Sequence, residues 1–345
     1  MINSIEIKNF KGIKDLKLEN FSKINFFVGK ANTGKTSILE ALFAFLLKNP
    51  NDIMMLLDVR RMHIDSDVFQ SFFYDYLLEK KPTIKSDDIE LIIDCDRNSQ
   101  YTNISTNKNN TVTDLSSGTN EINFIYKNSQ GKKTFNIKKI FPNLDQIQFQ
   151  HSLNLDGSFV FPEINDVDFI YQGSFYDNNL REYLSKIVEE KEKKEDLKKI
   201  CKDFSEDIEE LYFSKNKIVI QKTNLKNAIN FKLLGEGFKK YIAIQASILF
   251  GKKYILIDEL ENGLHYEGIE KLIETILNSK DDVQFFITTH NLELLQKLSE
   301  ILHDEKEEKV SVFNIYEDNE KNVKAIKFSQ EKMTININNH NEIRG

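Results

Sequence analysis

The stretch Phe26-Phe27-Val28-Gly29-Lys30-Ala31-Asn32-Thr33-Gly34-Lys35-Thr36-Ser37 carries the spacing G-x-x-x-x-G-K-T between an apolar run and an apolar-rich continuation. Gly29 and Gly34 admit backbone angles and close approaches that a side chain would block, so successive amide N–H groups can wrap the phosphates of a nucleotide. Lys35 supplies a point charge to the β and γ phosphates. The Thr36 hydroxyl is placed to ligate Mg²⁺, and a helix beginning there turns its positive end toward the anion. Lys30, Ala31, Asn32, Thr33 and Ser37 complete the expected cradle.

Two further runs end in groups that suit the same chemistry. Tyr254-Ile255-Leu256-Ile257-Asp258-Glu259 is apolar until it meets two carboxylates. A buried strand ending in charge needs a cation, and a Mg²⁺ held by the phosphate loop is one. Asp258 is therefore assigned to the metal, directly or through water. Glu259, one residue on and facing the other way, is assigned to orient the attacking water and accept its proton. Val283-Gln284-Phe285-Phe286-Ile287-Thr288-Thr289-His290 is a further buried strand, expected parallel to the previous one. It brings His290 to the same sheet edge, as a γ-phosphate contact or as a satisfied core histidine. His63, His151, His265, His303 and His340 form no ligand constellation with one another or with the cysteines, so no zinc site is read.

The positioning elements follow from periodicity. Ile5 to Phe10 and Ile13 to Leu18 alternate largely between apolar and polar and read as strands joined by Lys11-Gly12. With Lys23 to Val28, three strands precede a first helix over Thr36 to Lys48. Residues 49 to 80, rich in apolar and aromatic side chains, read as short helices or loops over the core. Residues 88–172 hold strand-like runs, including Phe159 to Phe161, between Asn, Ser, Thr and Gly clusters, and predict an inserted antiparallel β lobe. Residues 179–215 shift to Glu, Lys and Leu, with apolar residues at Leu197, Ile200, Phe204, Ile208 and Leu211. This spacing predicts a helical lobe, with Glu189 to Glu195 as its solvated face. Lys217 to Gln221 and Ile229 to Leu233 read as strands, Phe238 to Phe250 as a helix, and Val310 to Tyr316 with Val323 to Phe328 as two strands closing the sheet.

The chain has 345 residues, 40% hydrophobic and 29% charged, which is ordinary for a folded globular protein with a large core. A net charge of −7 means that the surface as a whole does not attract nucleic acid or anionic lipid, so any such contact is local or depends on a partner. Cys95 and Cys201 lie far apart and fit a reducing compartment. Neither a signal-peptide pattern nor a membrane-length apolar run is present, and the expectation is a cytoplasmic protein without membrane contact.

In the order of its motifs the chain resembles the ABC-type ATPases of the SMC and double-strand-break-repair class, and within it the OLD-like AAA family ATPases of bacterial anti-phage operons. Asn9-Phe10-Lys11-Gly12 looks like their amino-terminal strand motif. Gln172 looks like the glutamine that senses Mg²⁺ and the attacking water, against the reading of a plain surface glutamine. Leu234-Gly235-Glu236-Gly237-Phe238-Lys239-Lys240 sits where the family carries its signature, which reaches the γ phosphate on a second subunit; a plain strand-to-helix turn is the other reading of Gly235 to Gly237. Glu261-Asn262-Gly263-Leu264-His265 takes the place of the loop after the catalytic glutamate, and His290 that of the switch histidine. Ala31 and the Gly235-Glu236 pair depart from the family pattern. A carboxylate near a γ phosphate would repel it, so Glu236 is expected to point away.

The resemblance implies an α/β P-loop NTPase, a single ABC-type head over 1–345 with an SMC-head-like sheet, the inserted β lobe and the helical lobe. It implies that ATP and Mg²⁺ are bound, that two heads sandwich two ATP molecules as a homodimer or higher homo-oligomer, and that a separately encoded effector takes the signal. DNA or RNA is a further candidate partner. The segment after the helix ending near His303 is too short for the TOPRIM nuclease of OLD-like enzymes, so no nuclease is expected in this chain. A DNA-repair or DNA-maintenance clamp of the SMC type is the alternative.

Overall fold

The computed structural model describes residues 1–46, 56, 68–95, 100–107, 110–117, 121–143, 146–157, 166–171, 178–214, 217–264, 266–279, 282–302 and 309–328. Its first elements are β1 (Ser4–Phe10), β2 (Ile13–Glu19), β3 (Ile24–Val28) and α1 (Lys35–Leu46). Then follow β4 (Thr83–Ser86), β5 (Ile89–Cys95), β6 (Gln100–Asn107), β7 (Asn110–Ser117), β8 (Glu121–Asn128), β9 (Gly131–Asn143), β10 (Gln146–Gly157) and β11 (Val167–Ile170). The middle of the chain gives α2 (Asn178–Glu189), α3 (Lys191–Phe204), β12 (Ile208–Ser214), β13 (Lys217–Lys222), β14 (Ile229–Asn230) and α4 (Glu236–Phe250). The last elements are β15 (Tyr254–Ile257), α5 (Tyr266–Leu277), β16 (Gln284–Thr289), α6 (Leu292–Leu302), β17 (Val310–Glu317) and β18 (Val323–Phe328).

The central sheet runs β11-β15-β16-β3-β17-β18. All its neighbours are parallel except the last pair, β17 with β18. Its inner strands are apolar on both faces, and every residue of β3 and of β16 is buried, as a parallel sheet covered on both sides requires. The parallel strands β3, β15 and β16 end on one edge, so the phosphate loop, Asp258 and His290 emerge side by side. β16 lies between β3 and β15, with Val28 opposite Thr289 and Ile257 opposite Ile287.

The second sheet is wholly antiparallel, in the order β10-β9-β8-β5-β4-β1-β2. Of the inserted β lobe expected over 88–172, β5, β8, β9 and β10 continue the amino-terminal hairpin through β4, while β6 and β7 pair with each other in a two-stranded sheet. Within the same range β11 belongs to the central sheet, and Phe159 to Phe161 lie outside the described residues. Helix α1 is buried at every position but Thr36 and shares a core with both sheets. Tyr126 of β8 donates its hydroxyl to the Ala44 carbonyl at 2.6 Å, tying the second sheet to the phosphate-loop helix.

The helical expectation over 179–215 ends early. α2 and α3 form, but Ile208–Ser214 is a strand paired with β13. The cause is local: Ile208 N–H donates to Ser205 O at 3.0 Å and the Ser205 hydroxyl to Asp207, a turn that stops the helix and leaves Leu211 opposite Ile220. The expected strand to Leu233 is likewise cut short, since Phe231–Leu233 is a 3-10 turn capped by Asn230. Helices α2, α4, α5 and α6 contribute to a second core on the other face of the central sheet.

Candidate functional site

β3 feeds directly into the phosphate loop, and two glycines let it turn. A Cβ on Gly29 would lie 2.2 Å from the Ile315 carbonyl oxygen, so only glycine lets the loop lie against β17. Gly34 has φ 90° and Asn32 φ 64°, left-handed positions that glycine and asparagine tolerate best. Lys35 is buried, and its ammonium donates to the carbonyls of Gly29 at 2.9 Å and Lys30 at 2.6 Å. Burial pushes its pKa below the usual lysine value, against the pull of Glu259, Asp258 and Glu261. Carbonyls are weaker partners for an ammonium than anionic oxygens, so the loop holds Lys35 ready for exchange onto phosphate.

The three strand ends join through hydroxyls. Thr36 Oγ1 donates to Asp258 Oδ1 at 3.1 Å, and Thr288 Oγ1 donates to the same oxygen at 2.7 Å. Thr288 Oγ1 in turn accepts the Glu259 N–H at 2.8 Å. Burial raises the Asp258 pKa, the two hydroxyl bonds oppose that, and the neighbouring Glu259 and Glu40 add to it. Among the described residues no ion pair reaches Asp258; its side-chain hydrogen bonds come from two hydroxyl groups, and Lys35 and Lys240 attract it only from a distance.

Beside it Glu259 takes φ 48°, outside the usual range for a glutamate. Its carboxylate accepts from the Asn262 amide, and Lys240, from α4, donates to the carbonyls of both Glu259 and Asp258, the latter at 3.1 Å. Burial pushes the Lys240 pKa down to about 8, against the attraction of Glu261, Asp258, Glu259 and Glu236. Glu261 is buried and anchors His290 twice, accepting its backbone N–H at 2.9 Å and facing its Nδ1 at 3.0 Å. This leaves Glu259 Oε1 at 3.9 Å from His290 Nδ1. Lys11 Nζ pairs with the buried Glu40 of α1 at 2.6 Å, joining the β1–β2 turn to the phosphate-loop helix.

Several of these groups open on one cavity of about 710 Å³, while Asp258, Lys240 and Glu261 stand behind its lining. Ala31, Asn32, Lys35, Thr36, Glu259 and His290 line it, with Gly34 and Ser37 alongside. Lys30 is exposed and Thr33 turns its hydroxyl to Lys30 O at 3.0 Å. Gln172 lies outside the described residues. Gly235 and Gly237 do not line this cavity. Gly235 is the N-cap of α4 with open space around it, whereas a Cβ on Gly237 would lie 2.2 Å from the Gly263 carbonyl oxygen. Glu236 is held by Lys239. From sequence, Thr288 belongs to the strand before His290, Lys240 to the signature-like stretch and Glu261 to the loop after Glu259, but none carries a role of its own, because each acts through contacts distant in sequence.

The donor set suits Mg²⁺. Among the described residues no group of three or more His, Cys, Asp or Glu side chains could hold a metal unaided. Mg²⁺ keeps several waters and takes phosphate oxygens, so one hydroxyl and one half-buried carboxylate, ion-paired to no described residue, beside a phosphate cradle fit it.

A profile of the family described as "AAA domain, putative AbiEii toxin, Type IV TA system" matches residues 24–296. The chain is 26% identical to an "ATP/GTP phosphatase" of Helicobacter pylori over 347 residues, 88% of this chain and 89% of that one. It resembles the SmcHead bound to the C-winged helix domain of ScpA, with a TM-score of 0.52 at 14% identity, over 96% of this chain and 99% of that one. It also resembles an Smc head domain with an extended coiled coil bound to the C-terminal domain of ScpA, derived from Pyrococcus furiosus. That TM-score is 0.52 at 12% identity, over 98% of this chain and 99% of that one. At such identities the likeness is one of fold, and the expected α/β, SMC-head-like architecture is borne out. Among the described residues no helix is long and apolar enough to cross a membrane.

Proposed function

The chain belongs to this family of AAA-domain ATPases, and from that premise we propose that it hydrolyses ATP in the cavity lined by Lys35 and Glu259. It pairs with a second copy through its nucleotide sites and serves as sensor or scaffold for a separately encoded effector in anti-phage defence. The observation that carries the ATPase reading is the hydrogen-bonded line from Thr36 through Asp258 and Thr288 to Glu259, which joins the phosphate loop to a carboxylate on the same cavity.

The residues divide the work. The amides from Gly29 to Ser37 cradle the phosphates, and Lys35 shifts from the loop carbonyls to the β and γ oxygens. Thr36 and Asp258 would hold Mg²⁺, with Gln172 as a further ligand. When bound, that ion offsets the charge building up on the phosphate oxygens. Glu259 orients a water on the γ phosphorus and takes its proton as the new P–O bond forms and the bond to the β-phosphate oxygen breaks, giving ADP and phosphate. His290, steadied by Glu261, hydrogen-bonds the γ phosphate. Gly235 and Gly237, which do not line their own chain's cavity, complete the partner copy's site. The head spans 1–345, with the strands of 88–172 and the segment 179–215 as its accessory parts, and works in the cytoplasm.

A family described by a putative toxin of a toxin–antitoxin system fits a chain that acts with a separately encoded protein. The SMC-head fold also suits a DNA-maintenance clamp. Glu259→Gln, tagged and recovered from the native host with nucleotide bound, separates the two. A stoichiometric protein partner is expected; DNA with no protein partner, or cutting of nucleic acid by the pure chain, would contradict the sensor reading.

A further inference from the structure

The cavity extends beyond the groups that handle phosphate. One part of its remaining wall is made by Phe73, Tyr74, Asp75 and Tyr76, beside Lys11 and Gly12 of the β1–β2 turn, and another by Glu317 and Val323. The first part is anchored. Phe73 pairs with Phe10 in an antiparallel bridge, Lys11 N–H donates to Phe72 O at 3.0 Å, and Tyr76 N–H donates to Phe73 O at 3.2 Å. Phe73 is buried, yet Tyr76, three residues on, is 66% exposed. Asp75 and Tyr76 both sit at φ 55°, consecutive left-handed positions without glycine. Such backbone persists where the surroundings hold it and is a mark of functional segments.

Orientation follows from the chemistry at the other end. Glu259 and His290 follow β15 and β16, Thr288 lies near the end of β16, and together they mark the terminal-phosphate end of the cavity. Phosphates over Lys35 and Thr36 would then direct the nucleoside toward the β1–β2 turn, where the cavity offers an exposed aromatic ring. Resting on the nucleotide reading above, we propose that Tyr76 is the platform on which the nucleobase stacks. Stacking uses the π face that every base has, so the platform binds adenine and guanine nucleotides alike. The hydroxyl of Tyr76 is dispensable to it.

The test uses the full chain carrying Glu259→Gln, so that binding is read without turnover, with ATP, GTP and inorganic tripolyphosphate as probes. Adding Tyr76→Ala should weaken ATP and GTP by about tenfold each. Adding Tyr76→Phe should leave both unchanged, and tripolyphosphate, which has no base, should bind equally to all three. Unchanged ATP affinity in Tyr76→Ala, with tripolyphosphate still lost on Lys35→Ala, overturns the platform while leaving the phosphate site intact. An equal loss of tripolyphosphate and ATP in Tyr76→Ala overturns it too, since the ring would then shape the loop and not meet the base. A chain that binds none of the three probes overturns the nucleotide reading itself.

Discussion

Thr288 donates its hydroxyl to Asp258 at 2.7 Å and accepts the Glu259 N–H through the same oxygen at 2.8 Å. One side chain thus fixes both the carboxylate assigned to the metal and the backbone of the carboxylate assigned to water. Thr288→Val keeps the shape and removes the hydroxyl, leaving a half-buried carboxylate short of a donor. Hydrogen bonds to charged groups contribute about 1.5–3 kcal/mol, so turnover should fall by roughly one to two orders of magnitude. Thr288→Ser should recover most of it. Steady-state phosphate release on the three proteins is the check, and a fully active Thr288→Val would show the hydroxyl to be idle.

Lys240 reaches from α4 to the carbonyls of Asp258 and Glu259, so the start of α4 is fastened to the turn after β15. Lys240→Met keeps the buried stem and withdraws the donor. The left-handed turn at Glu259 then loses one of its holds, and kcat should drop at least about tenfold with ATP affinity changed little, since a hydrogen bond from a charged donor is worth about 1.5–3 kcal/mol. Comparing nucleotide binding with hydrolysis separates this from a general loss of folding.

Gly235 and Gly237 should behave differently although they are two residues apart. Gly237→Ala drives a Cβ to 2.2 Å from the Gly263 carbonyl and should destabilise the protein by about 1–3 kcal/mol, measured by thermal unfolding. Gly235→Asp meets open space at a helix N-cap with φ −60°, where aspartate is favoured, so stability should hold or rise. Its turnover should nevertheless fall, because in the proposed two-headed site the added charge would face the partner's γ phosphate. Mixing Gly235→Asp with Lys35→Ala, each impaired alone, should raise phosphate release above that of either alone, through the one mixed site that keeps an intact loop and an intact signature. No recovery on mixing would contradict the two-headed site.

Cys201 on α3 is fully buried, and burial pushes its thiol pKa up from 9.0 to about 12. An unfolded chain ionises this thiol near 9 while the folded one keeps it protonated. Its contribution to stability is thus complete below pH 9 and declines as pH rises toward 12, by about 1.4 kcal/mol per unit. Chemical denaturation at pH 9, 10 and 11 should show a steeper fall for the wild type than for Cys201→Ala, and parallel curves would refute the assignment.

What could be read in advance follows physical range. Gly29 to Ser37, Asp258 and His290 are legible because strand, motif and helix are contiguous and their periodicity is strong. Lys240 and Thr288 are not, because their roles arise from contacts 18 and 30 residues away that no local pattern records. Ile208 and Leu211 suit a helix by spacing, but the Ser205–Asp207 turn and pairing with β13 outweigh propensity. β5, β8, β9 and the start of β10 are recognisable one by one, whereas β6 and β7 are not, because their Asn, Ser and Thr residues read as a connection between strands. The union of the former with β1 through β4 is a property of the sheet, and three-residue registers such as Glu6 to Lys8 against Thr83 to Lys85 leave little trace in composition.

The most direct measurement is nucleotide turnover by Glu259→Gln beside the wild type, with bound and released label counted separately. Glutamine keeps the shape and the Asn262 contact but cannot accept the water's proton, so ATP should remain bound and phosphate release should fall by at least about a hundredfold. Hydrolysis by Glu259→Gln at the wild-type rate would contradict the assignment of the base and, with it, the mechanism built on this cavity.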